Sequence, residues 1–140
     1  MQNQKTKNID GPIIFYDGEC GLCNRFVQFM LHHDGKDVVR FAALQGATYE
    51  QTVRCVLGPP DMTTVVLWES GVAYTHSDAV LRAISRLGGV MGAFSSVALW
   101  IPRSLRDFVY RFVSRNRYRW FGKVDACRIP QGNERDRFLP

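Results

Sequence analysis

Apolar residues along the chain fall into segments whose repeat alternates between about two and about three and a half residues. The run PIIFYD at residues 12–17 is short and rich in β-branched and aromatic side chains, and it closes on Asp-Gly, which predicts a first strand. Over GLCNRFVQFMLHHD, Leu22, Phe26, Phe29 and Met30 recur at three- and four-residue steps, the spacing of a helix, and Asp34-Gly35 supplies the turn that ends it. VVRFAAL predicts a second strand. In GATYEQTVRCVLG, Tyr49, Val53, Val56 and Leu57 lie at helical spacing, and Gly58-Pro59-Pro60 stops the pattern. TTVVLWESGVAYTH predicts a hairpin around Glu69-Ser70-Gly71. SDAVLRAISRLGG predicts a helix that opens at Ser77 or Asp78 and ends at Gly88-Gly89. From about residue 90 the pattern is helical. Pro102 suits a first helical position, and Leu105, Val109, Phe112 and Val113 form a stripe expected to pack on the core.

The predicted order is β-α-β-α-β-β-α, with strands 1 and 2 parallel and the hairpin antiparallel. It is an α/β order, that of a thioredoxin-like core, followed by a C-terminal helical extension. A length of 140 residues with 46% apolar side chains suits one domain with a real core, expected over residues 12–140 behind a disordered tail at 1–11. No run reaches the roughly 18 to 20 apolar residues of a membrane span. The opening MQNQKTKNID lacks the apolar centre of a secretory signal, so a cytoplasmic protein is expected.

The chemistry is concentrated in FYDGECGLCNRF, where Cys20 and Cys23 stand three apart at the predicted strand-to-helix turn. A redox pair, half of a metal site and two small structural residues are the open readings. A closed zinc site needs four ligands, and no second CxxC or HxxxH is present. His32-His33 lies about 18 Å along the helix from Cys20, too far to join it. The redox reading has a physical basis. Unpaired N–H groups in the first turn of a helix favour a thiolate, lowering the thiol pKa below its free value of about 8.5. Cys20 is then the nucleophile, and Cys23, one turn on, the resolving thiol. The carboxylates of Asp17 and Glu19 oppose ionisation, so only a modest depression is expected.

The stretch Asp17-Gly18-Glu19-Cys20-Gly21-Leu22-Cys23 resembles the DCC family of thiol-disulfide oxidoreductase-like proteins, named for their Asp, Cys and Cys. HSDAVLRAISRLGG, IPRSLRDFVYRFVSRNRYRWFG and the tail around Cys127 also resemble the family pattern, so the likeness covers nearly all the chain past residue 12. It implies a thioredoxin-like fold and a disulfide oxidoreductase activity, with no bound cofactor. The expected partners are a disulfide-bearing protein or small thiol, with glutathione or a thioredoxin system as reductant.

Asp17 matches the family's Asp and has two readings: a proton relay to the cysteines, most useful at Cys23, or a turn whose carboxylate bonds local N–H groups. Thioredoxin-like proteins usually carry a cis-proline facing the cysteines. That position falls near Met62-Thr63, where there is no proline, and Thr63 is the candidate substrate-docking residue. By analogy with glutaredoxins, Ser77 and Asp78 could hold the charged end of glutathione, or they could simply cap a helix. His76 reads as an acid–base group or a solvated loop residue, Cys55 as a buried small hydrophobe, and Cys127 as a third thiol or a packing residue.

The net charge of +5 owes much to Arg103, Arg106, Arg111, Arg115, Arg117 and Arg119. These form a solvated helix face or a surface for anionic lipid or nucleic acid, with Arg117 and Arg119 suited to a helix end. No recognised nucleic-acid module accompanies them, so nucleic acid is not an expected partner. Two alternatives therefore stand beside the dithiol enzyme. One is a glutathione-dependent, glutaredoxin-like enzyme working through Cys20; the other is a basic, non-enzymatic adaptor for lipid or RNA.

Overall fold

The computed structural model describes residues 11–34, 38–62, 64–122 and 137–139. Strand β1 (Ile13–Tyr16) is buried along its whole length and lies at the centre of a five-stranded mixed sheet of order β4-β3-β1-β2-β5. It pairs in parallel with β2 (Arg40–Ala43) and antiparallel with β3 (Val66–Glu69). A strand covered on both faces has to be continuously apolar, which is why IIFY shows no polar alternation.

The period of two divides β1 between two cores. Ile14 and Tyr16 join Phe41, Leu67, Val27 and Met30 under α1 (Gly21–His33) and α4 (His76–Ser85). Ile13 and Phe15 face the opposite side, with Tyr49 and Val53 of the α2 (Ala47–Thr52) and α3 (Arg54–Leu57) region. Each fully buried side chain of this size stabilises the fold by about 1.5–3 kcal/mol.

The hairpin forms as predicted. Antiparallel β3 and β4 (Val72–Thr75) are joined through Ser70 and Gly71, both at positive φ (52° and 77°), the geometry of the two-residue turn that matches strand twist. Helix α5 (Gly89–Ala98) packs on α4, and α6 (Arg103–Phe121) crosses both α1 and α4. No helix among the described residues is long and apolar enough to cross a membrane.

Four expectations need correction. The helix predicted across Tyr49–Leu57 breaks at Val53 into α2 and α3. Burying Tyr49 and Val53 turns the last turn outward, so Val56 and Leu57 are exposed and so is Cys55, which was expected in the core. The Cys55 thiol donates instead to the Thr52 carbonyl at 3.3 Å. Leu105, Val109 and Phe112 are each more than half exposed and do not pack on the core. Helix α4 starts at His76 with Thr75 in the N-cap position, so neither Ser77 nor Asp78 is the cap. Finally, β5 (Phe138–Leu139) adds a parallel strand beside β2 that the sequence did not announce. Arg137 anchors it through Asp34 (2.5 Å) and the Val39 carbonyl.

Candidate active site

Cys20 is the N-cap of α1, in extended backbone (φ −87°, ψ 121°), and its sulfur accepts a hydrogen bond from the Cys23 N–H at 3.4 Å. The sulfur thus occupies the place usually held by a capping serine or aspartate oxygen. The turn before it is built by Asp17: the Cys20 N–H donates to the Asp17 carbonyl (3.2 Å), and the Glu19 N–H donates to the Asp17 carboxylate (3.0 Å). This is the local side-chain turn expected of Asp-Gly. Asn24 ties loop to helix, donating to the carbonyls of Gly18 (3.0 Å) and Cys20 (2.9 Å).

Electrostatics separate the two thiols. The Cys20 pKa is lowered from 9.0 to about 6, chiefly by a hydrogen bond from the Cys23 thiol. Burial opposes the shift, while the backbone N–H groups of Cys23 and Leu22 and the Arg117 charge assist it. The Cys23 thiol is pushed the other way, by its donation to Cys20, by burial and by the Cys20 charge. Cys20 is the group that ionises, and Cys23 holds its proton. Both are buried, with Cys20 fully enclosed and Cys23 retaining 6% exposure.

Arg117 is the site residue that sequence reading missed. It does fall near the end of α6, but it is buried there and not solvated. Its guanidinium donates to the Asp17 carboxylate (3.4 Å), to the Met62 carbonyl and to the Tyr118 hydroxyl (3.3 Å). The Tyr118 hydroxyl in turn donates to Asp17 at 2.5 Å, and the phenol pKa is raised to about 12 by burial and by that bond. Asp17 therefore gathers the Glu19 N–H, Gln45, Arg117 and Tyr118. The one available signal was that RNRYRW interrupts the apolar stripe of α6 with arginines on more than one face, so that some of them had to point inward.

α6 reaches the site because its end meets the start of α1. The Gly21 N–H donates to the Gly122 carbonyl at 3.2 Å, and a Cβ on Gly21 would collide with the Phe121 carbonyl. Only glycine fits between the cysteines at that contact.

A groove of about 570 Å³ runs between α1, α4 and α6, with Cys23 and Arg117 in its wall beside Leu22, Phe26, Val109 and Val113. Ser77 also lines it, while donating to the Asp107 carboxylate and accepting from Arg106 (3.2 Å). Asp78 is committed to Arg106 (2.9 Å) and Arg103 (3.1 Å). His76 is half-buried, its ring edge-on to Tyr110 with centroids 5.4 Å apart. Thr63 and Cys127 lie outside the described residues. Next to Thr63, the Thr64 hydroxyl accepts the His76 N–H (2.8 Å), and the Val65 N–H donates to the Tyr110 hydroxyl (2.9 Å).

A helix capped by one cysteine sulfur, with a second cysteine one turn on and the buried Arg117 near the same turn, is the candidate site. A family model for DCC1-like thiol-disulfide oxidoreductases matches residues 14–123, and the chain belongs to this DCC family, within the thioredoxin-like superfamily. It is 34% identical over 136 residues to the uncharacterized protein YuxK of Bacillus subtilis (strain 168), covering 96% of this chain and 98% of that one. It is 36% identical over 119 residues to a chloroplastic DCC family protein of Arabidopsis thaliana, covering 84% of this chain and 69% of the other. No solved structure matches the chain.

Proposed function

We propose that the protein is a thiol-disulfide oxidoreductase that cycles Cys20 and Cys23 between dithiol and disulfide. The observation that carries the reading is that the Cys20 sulfur caps α1 and accepts the Cys23 N–H at 3.4 Å, which sets the two cysteines one turn apart at the helix start. The sheet order β4-β3-β1-β2, with β1 central and α1 following it, is consistent with a thioredoxin-like core to which β5 and the last two helices are added.

Cys20 is fully enclosed and the groove reaches Cys23, so the contact between Gly21 and the end of α6 opens first. The Cys20 thiolate then attacks one sulfur of a substrate disulfide, forming a mixed disulfide and releasing the other sulfur as a thiolate. Cys23 then loses its proton and attacks Cys20, releasing the second substrate thiol. Two electrons pass from the pair to the substrate, Cys20 and Cys23 end as a disulfide, and the two departing sulfurs are protonated. A thiol partner such as glutathione or a thioredoxin system restores the dithiol, so the cycle keeps its electrons on sulfur and calls for no bound cofactor. It operates in a reducing compartment such as the cytoplasm.

Asp17 holds Arg117 against the pair and is the carboxylate proposed to take the Cys23 proton as the mixed disulfide resolves. Substrate enters along the groove that reaches Cys23, passing Ser77 and Val65, and the apolar walls select an apolar chain beside the disulfide. Asp78 shapes that entrance through its arginines.

Turnover of a mixed-disulfide substrate tests the reading. Cys20→Ser should abolish it, and Cys23→Ser should trap the covalent mixed disulfide. Full turnover by Cys23→Ser with glutathione would replace the dithiol cycle by a monothiol one. No turnover by the unaltered protein on any disulfide would overturn the enzymatic reading.

A further inference from the structure

Helix α5 has its side chains arranged the wrong way round for a protein surrounded only by water. Its small residues face inward: Gly92 lies against the Ser85 carbonyl, and the Ser95 hydroxyl donates to the Leu81 carbonyl on α4. Its large apolar residues face out, with Val90 88%, Phe94 74% and Val97 70% exposed. Trp100, just beyond the helix, is 90% exposed. On α6 the surface continues through Leu105, Phe108, Val109 and Phe112, all more than half exposed. Large apolar side chains exposed in this number on two neighbouring helices of one bundle with α4 mark an interaction site.

Charge narrows the choice of occupant. The 16 residues from Leu87 to Pro102 include no charged side chain, and Arg86 and Arg103 bound them. Beside the apolar stripe of α6, Arg111, Arg115 and Arg119 recur every four residues, exposed and without an ion pair among the described residues. The single carboxylate of α6, Asp107, is turned to Ser77 and Arg103. A second copy meeting this face about a two-fold axis would set the arginine rows against each other. Anionic lipid satisfies both components, taking the aromatic and aliphatic side chains into the acyl boundary and the guanidinium groups at its headgroups.

We propose that the outer face of α5, Trp100 and the exposed side of α6 docks on an anionic phospholipid bilayer, lying on its surface. The face borders the groove at Leu105 and Val109 but does not include the cysteines, so the protein carrying both Cys20→Ser and Cys23→Ser should bind alike. The test is co-sedimentation of the full chain with vesicles of phosphatidylcholine alone or mixed with phosphatidylglycerol. Partition into the mixed vesicles is expected, at least ~10-fold weaker on phosphatidylcholine alone and falling with added salt.

Joint Phe94→Ser and Trp100→Ser substitution should lower partition into the mixed vesicles by ~10-fold or more. Joint Arg111→Gln, Arg115→Gln and Arg119→Gln substitution should remove the preference for them. All five side chains are exposed, so the melting temperature should barely move. No partition into the mixed vesicles, or equal partition into both kinds, would overturn the proposal. So would a dimer in solution that the Phe94→Ser, Trp100→Ser protein no longer forms.

Discussion

At the scale of single residues, the two like thiols of the CxxC turn are given opposite tendencies. Cys20 ionises near pH 6, and Cys23 is held protonated by the same hydrogen bond. The sign of the stability effect follows. Between pH 6 and 9 the folded protein has released a Cys20 proton that the unfolded chain keeps, so stability from this group rises with pH and is lost as pH falls through about 6. Cys23, shifted upward, contributes stability below its ordinary value and loses it as the solution becomes more alkaline. Denaturant melts of the reduced protein should show the rise across that window, and Cys20→Ser should flatten it. Replacing Arg117 by Met removes a cation that favours the thiolate, so the midpoint in thiolate ultraviolet absorbance should move upward, with Arg117→Lys restoring part of the shift. Asp17→Ala leaves the buried guanidinium without its carboxylate and should cost about 3 kcal/mol in denaturant unfolding. The cysteines and Asp17 were legible because strand, turn and helix pattern placed them together. Arg117 and Tyr118 were not, because their partner Asp17 stands 100 and 101 residues away and no local spacing records a contact of that range.

At the scale of elements, the position of α6 decides whether the site is closed. Its C-terminal turn is latched to the start of α1 where Gly21 leaves room for the Phe121 carbonyl. Gly21→Ala should force the two ends apart, costing about 1–3 kcal/mol in thermal or denaturant melts and speeding alkylation of Cys20, which is fully enclosed when the latch is shut. Unchanged alkylation in a destabilised variant would show that the latch does not control access. The first two strands, the helix between them, the hairpin and the helix after it were readable because each carries its own period and punctuation, from IIFY to the Ser70-Gly71 turn and beyond. Three features were less so. Val53 is buried midway through an apparently continuous helix and breaks it. β5 has only two paired residues, too few for any periodicity to show. The stripe of α6 is amphipathic with its larger apolar side outward, and periodicity reports that a helix has two faces without telling which meets the core.

At the scale of the whole molecule, a double-sided α/β core carries two surfaces of different kinds: a groove ending at a dithiol, and an apolar, arginine-edged face beside it. Stability should reside in the core and not in the arginine-edged face. Phe41→Ala, in the sheet core, should cost about 3–5 kcal/mol, while Trp100→Ser should stay within about 0.5 kcal/mol, a contrast readable in paired melts. The central claim concerns electrons, and the most direct test is a redox titration. The protein is equilibrated against graded thiol and disulfide buffers, and the states of Cys20 and Cys23 are read by alkylation and mass spectrometry. The account predicts a single two-electron transition in which both thiols disappear together into one internal disulfide, absent from Cys20→Ser and from Cys23→Ser. Two thiols that stay independently alkylatable at every potential would contradict it.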